Sequence, residues 1–239
     1  MHGTPLRFVL DPVGAELEAA LDCEAEVFLA TYGNTAEEFE HEYGPYAEQT
    51  GFMTILDGDG LAVATTRFIA PGPAGLKTLN DIARAPWGAD GLRSARAAGF
   101  DPDRTWDVAT IAVRRAAGRT PLCSAALYHG IVTAAQANGA DNIVMIMDDR
   151  PRRLLSDAGL VPNVLPGTGE GEYLGSPRSI PLWANLHRMF DQQRRINPDA
   201  YRLIYQAIGL DGITLPTDWT WQRRWNSSQD VGASESAAI

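Results

Sequence analysis

The chain has 239 residues, of which 45% are hydrophobic and 21% charged, a globular composition that excludes disordered, collagenous and coiled-coil classes. Its net charge of −10 sets the long-range field against nucleic acids and anionic membranes, so DNA and membranes are not expected partners. The charge is uneven: residues 1–144 carry 10 basic and 19 acidic groups, residues 145–225 carry 10 and 9, and a local basic site is allowed in the second half. Cys23 and Cys123 form no disulfide framework, and four scattered histidines form no local metal motif, so no metal site is expected. No signal-peptide pattern and no apolar run near ~20 residues is present, which makes the cytoplasm the expected location. Lys77 is the only lysine.

Phe8-Val9-Leu10 reads as a short first strand. Residues 14–32 read as an amphipathic helix with Leu17, Leu21, Ala25 and Phe28 on its apolar face, stopped by Gly33-Asn34. Thr35 and Glu38 make a capping box that opens a short acidic helix carrying Glu40 and Glu42. Residues 52–56 and 61–69 are strands joined by the turn Asp57-Gly58-Asp59-Gly60. Residues 71–100 form a long irregular stretch with short helices near 76–82 and 92–98, a length that points to a functional loop. A strand at 106–113, a helix at 121–138 ending at Gly139, a continuous apolar strand at 142–147 and a short basic helix at 151–158 follow. Sheet and turns are expected over 161–181, and helices over 181–195 and 198–208. The spacing divides the chain into an α/β domain over 1–180, a helical extension over 181–225 and a disordered polar tail over 226–239.

The chemistry concentrates between Trp106 and Gly159. Val113-Arg114-Arg115-Ala116-Ala117-Gly118-Arg119-Thr120 lies directly between a strand and a helix. Small residues there let backbone N–H groups face outward, the helix N-terminus adds partial positive charge, and three arginines reinforce it. Such a loop suits a pyrophosphate or phosphopantetheine arm. It is neither a Walker loop nor a dinucleotide fingerprint, since Gly-Lys-Ser/Thr and GxGxxG are both absent.

These residues resemble the GNAT acyltransferase superfamily, which binds the acyl donor's pyrophosphate at Gln/Arg-x-x-Gly-x-Gly/Ala between its fourth strand and third helix. Arg115 to Thr120 follow that pattern, with Thr120 in place of the last small residue, where it also suits an N-cap ahead of Pro121. Within the superfamily the chain is most similar to acyl-homoserine-lactone synthases and N-acyl amino acid synthases. Ala64–Ile69, Leu76–Ile82 and Trp106–Val113 carry this likeness, with Asp107, Ala109 and Thr110 standing where that family has Glu, Ser and Arg.

The resemblance implies a mixed α/β (α+β) domain with a central, mostly antiparallel sheet, and an enzyme that passes an acyl group from a carrier thioester to a small-molecule amine without a covalent acyl-enzyme. It implies no permanently bound cofactor, with acyl-coenzyme A or an acyl-carrier phosphopantetheine as co-substrate. Val113, Arg114, Arg115, Gly118, Arg119 and Thr120 are expected to bind the donor, and Arg67, Trp106 and Thr110 the acceptor. Asp107 is the first candidate for the base that takes the ammonium proton, with Glu40 and Glu42 next, and Tyr173 for protonating the leaving thiolate. Tyr128 and His129 are expected to pack. An acyl carrier protein or an aminoacyl-tRNA could dock on Arg150, Arg152, Arg153, Arg194, Arg195, Arg223 and Arg224. Two rival readings are an aminoacyl-tRNA-dependent transferase and a non-catalytic ligand-sensing domain of the same fold.

Overall fold

A computed structural model of the chain describes residues 5–115 and 120–222. Gly118, Arg119, Arg223, Arg224, Trp225 and the tail expected over 226–239 lie outside them. The elements are β1 (Leu6–Leu10), α1 (Ala15–Tyr32), α2 (Ala36–Tyr43), β2 (Thr50–Leu56), β3 (Ala62–Ile69), α3 (Lys77–Asp81), α4 (Gly91–Ala98), β4 (Thr105–Val113), α5 (Thr120–Ala137), β5 (Asn142–Asp148), α6 (Asp149–Asp157), β6 (Asn163–Val164), β7 (Gly171–Tyr173), β8 (Ser176–Asn185), α7 (Leu186–Ile196), α8 (Pro198–Ile204) and β9 (Ile213–Thr214).

The strands form one sheet in the order β6-β8-β5-β4-β3-β2-β1-β9, with β7 paired to β8. The β4–β5 and β1–β9 pairs are parallel and all others antiparallel, so the sheet is mostly antiparallel, as expected. One face packs on α5, α7, α8 and the aromatic segment around Trp219 and Trp221. The other carries α1 to α4.

Local chemistry sets several boundaries. Thr35 and Glu38 close the expected capping box at α2. The Asp57 carboxylate accepts from the amides of Asp59 and Leu61, and Gly60 takes the left-handed φ of +82° that the hairpin requires. Asp148 caps α6 by accepting from the Arg150 amide.

Two expectations are corrected. Residues 181–185 are not helical: β8 runs to Asn185, because this stretch pairs with β5 and Leu182 and Ala184 enter the core beside Met145 and Ile143, and the helix begins only where Asn185 accepts from the Arg188 amide. The boundary at residue 180 therefore falls inside a central strand. The inward face of α1 is also different. Ala20, Cys23 and Glu24 are buried while Leu21 is 39% exposed, because the helix lies close against β3 and β4, where small side chains fit and Glu24 meets Arg67.

The decisive irregularity is in β4. Its register against β3 pairs Arg67 with Thr110 and Phe68 with Val108, skipping Ala109. One extra residue inverts the in–out alternation. Trp106 and Val108 before it, and Ile111 and Val113 after it, face α5. Asp107, Ala109, Thr110 and Ala112 face α1 to α3.

Candidate active site

Strands β4 and β5 pair only at Thr105–Asn142, Trp106–Ile143 and Asp107–Val144. Beyond that point they diverge, and a cleft of about 480 Å³ opens between them. Val108 to Ile111 form one wall and Met145 to Asp148 the other. A parallel pair forced apart leaves backbone groups of both edges without ladder partners, so the splay presents main-chain polar groups to whatever lies in the cleft.

The donor-loop residues meet at one end. Val113, Arg114, Arg115, Thr120 and Ser124 line the cleft there. The two described arginines differ. Arg114 is tied down, donating to the Ala62 carbonyl at 2.8 Å and pairing with Glu26 at 2.8 Å. Arg115 is exposed at the cleft rim and makes no ion pair with a described residue. Of the two, Arg115 is the one free to meet an anion.

Below the splay a hollow of about 40 Å³ extends toward α5 and α7, lined by Ile111, Met145, Met147, Leu155, Met189 and Phe190 among others. Tyr128 borders both spaces, and its hydroxyl has no hydrogen-bond partner among the described residues; burial alone raises its pKa. His129 packs as expected, with Nδ1 2.8 Å from the Ile204 carbonyl and its ring edge-on to Trp219.

Arg67 and Thr110 form a buried ionic knot with Glu24 of α1, which sequence reasoning missed. The Arg67 guanidinium forks onto both Glu24 oxygens, and the Thr110 hydroxyl donates to the same carboxylate. Arg67 also lies over the rings of Tyr43 at 4.2 Å and Phe52 at 4.7 Å. Removing two charges from water is costly, and only a bidentate, fully bonded geometry offsets it. The expected acceptor contact of Arg67 is thus spent on joining α1 to β3. Trp106 stands apart from the cleft, 2% exposed, stacked on Phe68 with ring centres 4.3 Å apart. Thr110 does line the cleft.

The second polar cluster is built on α3. Asp107 is 1% exposed and accepts from the Thr78 amide at 2.5 Å and the Thr78 hydroxyl at 2.9 Å, anchoring α3 to β4. Burial pushes its carboxyl up to about 7, against the lowering effect of those two bonds. It does not line the cleft. Lys77, buried to 3%, bridges Asp81 and Glu42 at 2.7 Å each. The Tyr173 hydroxyl donates to Asp81 at 2.6 Å, and the Tyr173 ring lines the cleft. Glu40 points to solvent on the exposed side of α2. The structure therefore brings Glu42, Tyr173 and Asp107 around one short helix and adds Lys77 and Asp81.

At the other end of the cleft Tyr32 donates to Asp148, beside Arg150 and the β7–β8 turn. In that turn Leu174 takes a φ of +43°, unusual for a branched side chain, and Gly175 one of +81°. Ser176 and Ser179 line the cleft nearby. Cys23 is buried on the inward face of α1, and burial pushes its thiol up to about 12, which disfavours the thiolate. Among the described residues no group of three or more His, Cys, Asp or Glu side chains is placed to hold a metal, and no helix is long and apolar enough to cross a membrane.

No family model and no curated protein matches the sequence. Solved structures match the fold. An N-acyl amino acid synthase from uncultured soil microbes, FeeM, superposes with a TM-score of 0.61 at 15% identity, over 79% of this chain and 94% of that one. The acyl-homoserine-lactone synthase LasI gives 0.57 at 14% identity, over 82% and 96%. The coenzyme-A-dependent acyl-homoserine-lactone synthase BjaI gives 0.55 at 16%, over 90% and 94%. At such identities the likeness establishes the fold, and it agrees with the resemblance carried by residues 64–69, 76–82 and 106–113.

Proposed function

We propose that the chain is an N-acyltransferase that moves an acyl group from a carrier thioester to the amine of a small molecule. The observation that carries this reading is the splay after Asp107–Val144, which opens one continuous cleft with three different chemistries. Arg115 and the start of α5 suit the donor's phosphate-bearing arm. The edges of β4 and β5 suit the thioester carbonyl, whose oxygen gains negative charge as the amine attacks. Tyr43, Tyr173, Ser176 and Ser179 suit a polar acceptor arriving from the opposite end.

The mechanism is direct attack. The amine lone pair forms the C–N bond, the C–S bond breaks, and the carrier leaves as thiol. Tyr128 borders both the cleft and the hollow beneath it, and its hydroxyl has no hydrogen-bond partner among the described residues, so it takes over the thiolate-protonating role expected of Tyr173, whose O–H is aimed at Asp81. The acyl group enters the hollow below the splay. At about 40 Å³ this holds little more than one water's share of volume (~30 Å³), so a short acyl group fits as it stands. Longer chains require Met145, Met147 or Met189 to move, which thioethers do readily.

Coenzyme A and an acyl carrier protein share the phosphopantetheine arm that the cleft would hold. Arg152 and Arg153 share Asp149, Arg178 pairs with Glu170, and the chain as a whole carries −10, a field that opposes a tRNA and favours a small thioester. The test is thiol release with a panel of acyl-coenzyme A, acyl-carrier and aminoacyl-tRNA donors against pooled amines, with products read by mass spectrometry. Amide product from a thioester donor is expected. Product from aminoacyl-tRNA alone, or a donor bound tightly without turnover, refutes the reading.

A further inference from the structure

Four side chains lead from the cleft to the surface in an unbroken line. Tyr173 faces the cleft and donates to Asp81 Oδ2 at 2.6 Å. The same oxygen accepts from Lys77 Nζ at 2.7 Å, and Nζ also donates to Glu42 Oε2 at 2.7 Å. Asp81 and Lys77 are 5% and 3% exposed, whereas Glu42 is 26% exposed and meets solvent. The line is held from both sides. Asp107 anchors α3 through Thr78, and the rings of Tyr43 and Tyr173 lie 5.2 and 5.7 Å from Nζ. Arg84, largely exposed, lies 3.9 Å from Asp81 Oδ1, and Asp107 is within electrostatic reach of both Asp81 and Lys77.

We infer that Tyr173, Asp81, Lys77 and Glu42 form a relay that carries the proton of the acceptor ammonium out of the cleft, a role that rests on the acyltransferase reading. The step balances without a co-reactant. The ammonium N–H bond breaks as an O–H bond forms on Tyr173. The proton that Tyr173 carried passes to Asp81 Oδ2. Asp81 returns its proton to Nζ as Nζ gives one to Glu42 Oε2, which loses it to water. Tyr173 never stands as a phenolate, in keeping with the burial and the neighbouring Asp81 that hold its pKa well above the usual tyrosine range. This also explains why the chain places its single lysine in a buried position between two carboxylates.

The experiment compares kcat and KM of wild type, Tyr173→Phe, Glu42→Gln and Glu42→Ala from pH 6 to 9.5, with thermal melts confirming that each folds. Tyr173→Phe removes one oxygen and Glu42 sits at the surface, so neither change disturbs the core. The relay requires kcat to fall at least ~10-fold at pH 7 with the donor KM unchanged, the low end of general-base effects. The deficit must shrink toward pH 9.5, where the acceptor arrives as free amine, and formate added to Glu42→Ala must restore part of the loss. A merely structural role would leave the deficit independent of pH and formate. Wild-type kcat in both Tyr173→Phe and Glu42→Gln overturns the relay while leaving the activity intact. A wild type that turns over no donor–amine pair overturns the acyltransferase reading itself.

Discussion

Asp107 allows a quantitative test of how α3 is held. Its carboxyl is raised from 3.8 to about 7 by burial, so folding favours the protonated form. Stability from this group is fully present below the unfolded pKa of 3.8 and is lost as pH rises through about 7. Between pH 5 and pH 8 the linkage integrates to roughly 2–3 kcal/mol. Asp107→Asn has the shape of the protonated acid: its oxygen can accept from the Thr78 amide, and its NH₂ can donate to the Thr78 hydroxyl, which turns to accept. Urea unfolding of both proteins at pH 5 and pH 8 is the assay. The expected result is similar stability at pH 5 and a variant more stable than wild type by roughly 2 kcal/mol at pH 8. Comparing the two proteins cancels the other titrating groups, which they share. If wild type and variant keep the same difference at both pH values, Asp107 is ionised throughout, and burial does not dominate its environment.

The arginines of the donor loop should separate cleanly. Arg115→Ala should raise the donor KM by ~10-fold or more with an unchanged melting temperature, since a charge-assisted phosphate bond is worth ~1.5–3 kcal/mol. Arg114→Ala should instead lower the melting temperature, because it frees the Ala62 carbonyl and Glu26. Glu24→Ala leaves the Arg67 guanidinium buried without its carboxylate and should cost ~3–5 kcal/mol by urea unfolding; a loss below ~1 kcal/mol would falsify the buried knot. Phe190→Ala should enlarge the hollow beneath the splay and shift the preferred donor to longer acyl chains, and an unchanged chain-length profile would place the acyl group elsewhere.

The elements themselves were legible in the sequence wherever the signal was local. The capping box at Thr35–Glu38, the Asp-Gly turn at 57–60, the apolar run at 142–147 and the strand–loop–helix order around Arg115 depend on neighbours a few residues apart, and each appears where its pattern places it. The GNAT-like sheet follows from that order. What sequence periodicity misjudged depends on partners far along the chain. Residues 181–185 read as helix until β5 supplies a strand to pair with. Leu21 looks like a core residue and Glu24 like a solvated one, and the reverse holds because Arg67, 43 positions away, sits beneath α1. The skipped Ala109 decides which face of β4 each side chain joins, and nothing local announces a bulge. Tyr173 reaches Asp81, the partner of Lys77, across 92 residues of chain, so the polar core of the site exists only once the sheet has closed around α3. Short-range order is written in propensities and caps that each segment carries alone, whereas a buried charge is stable only beside its partner, and tertiary packing alone supplies that partner.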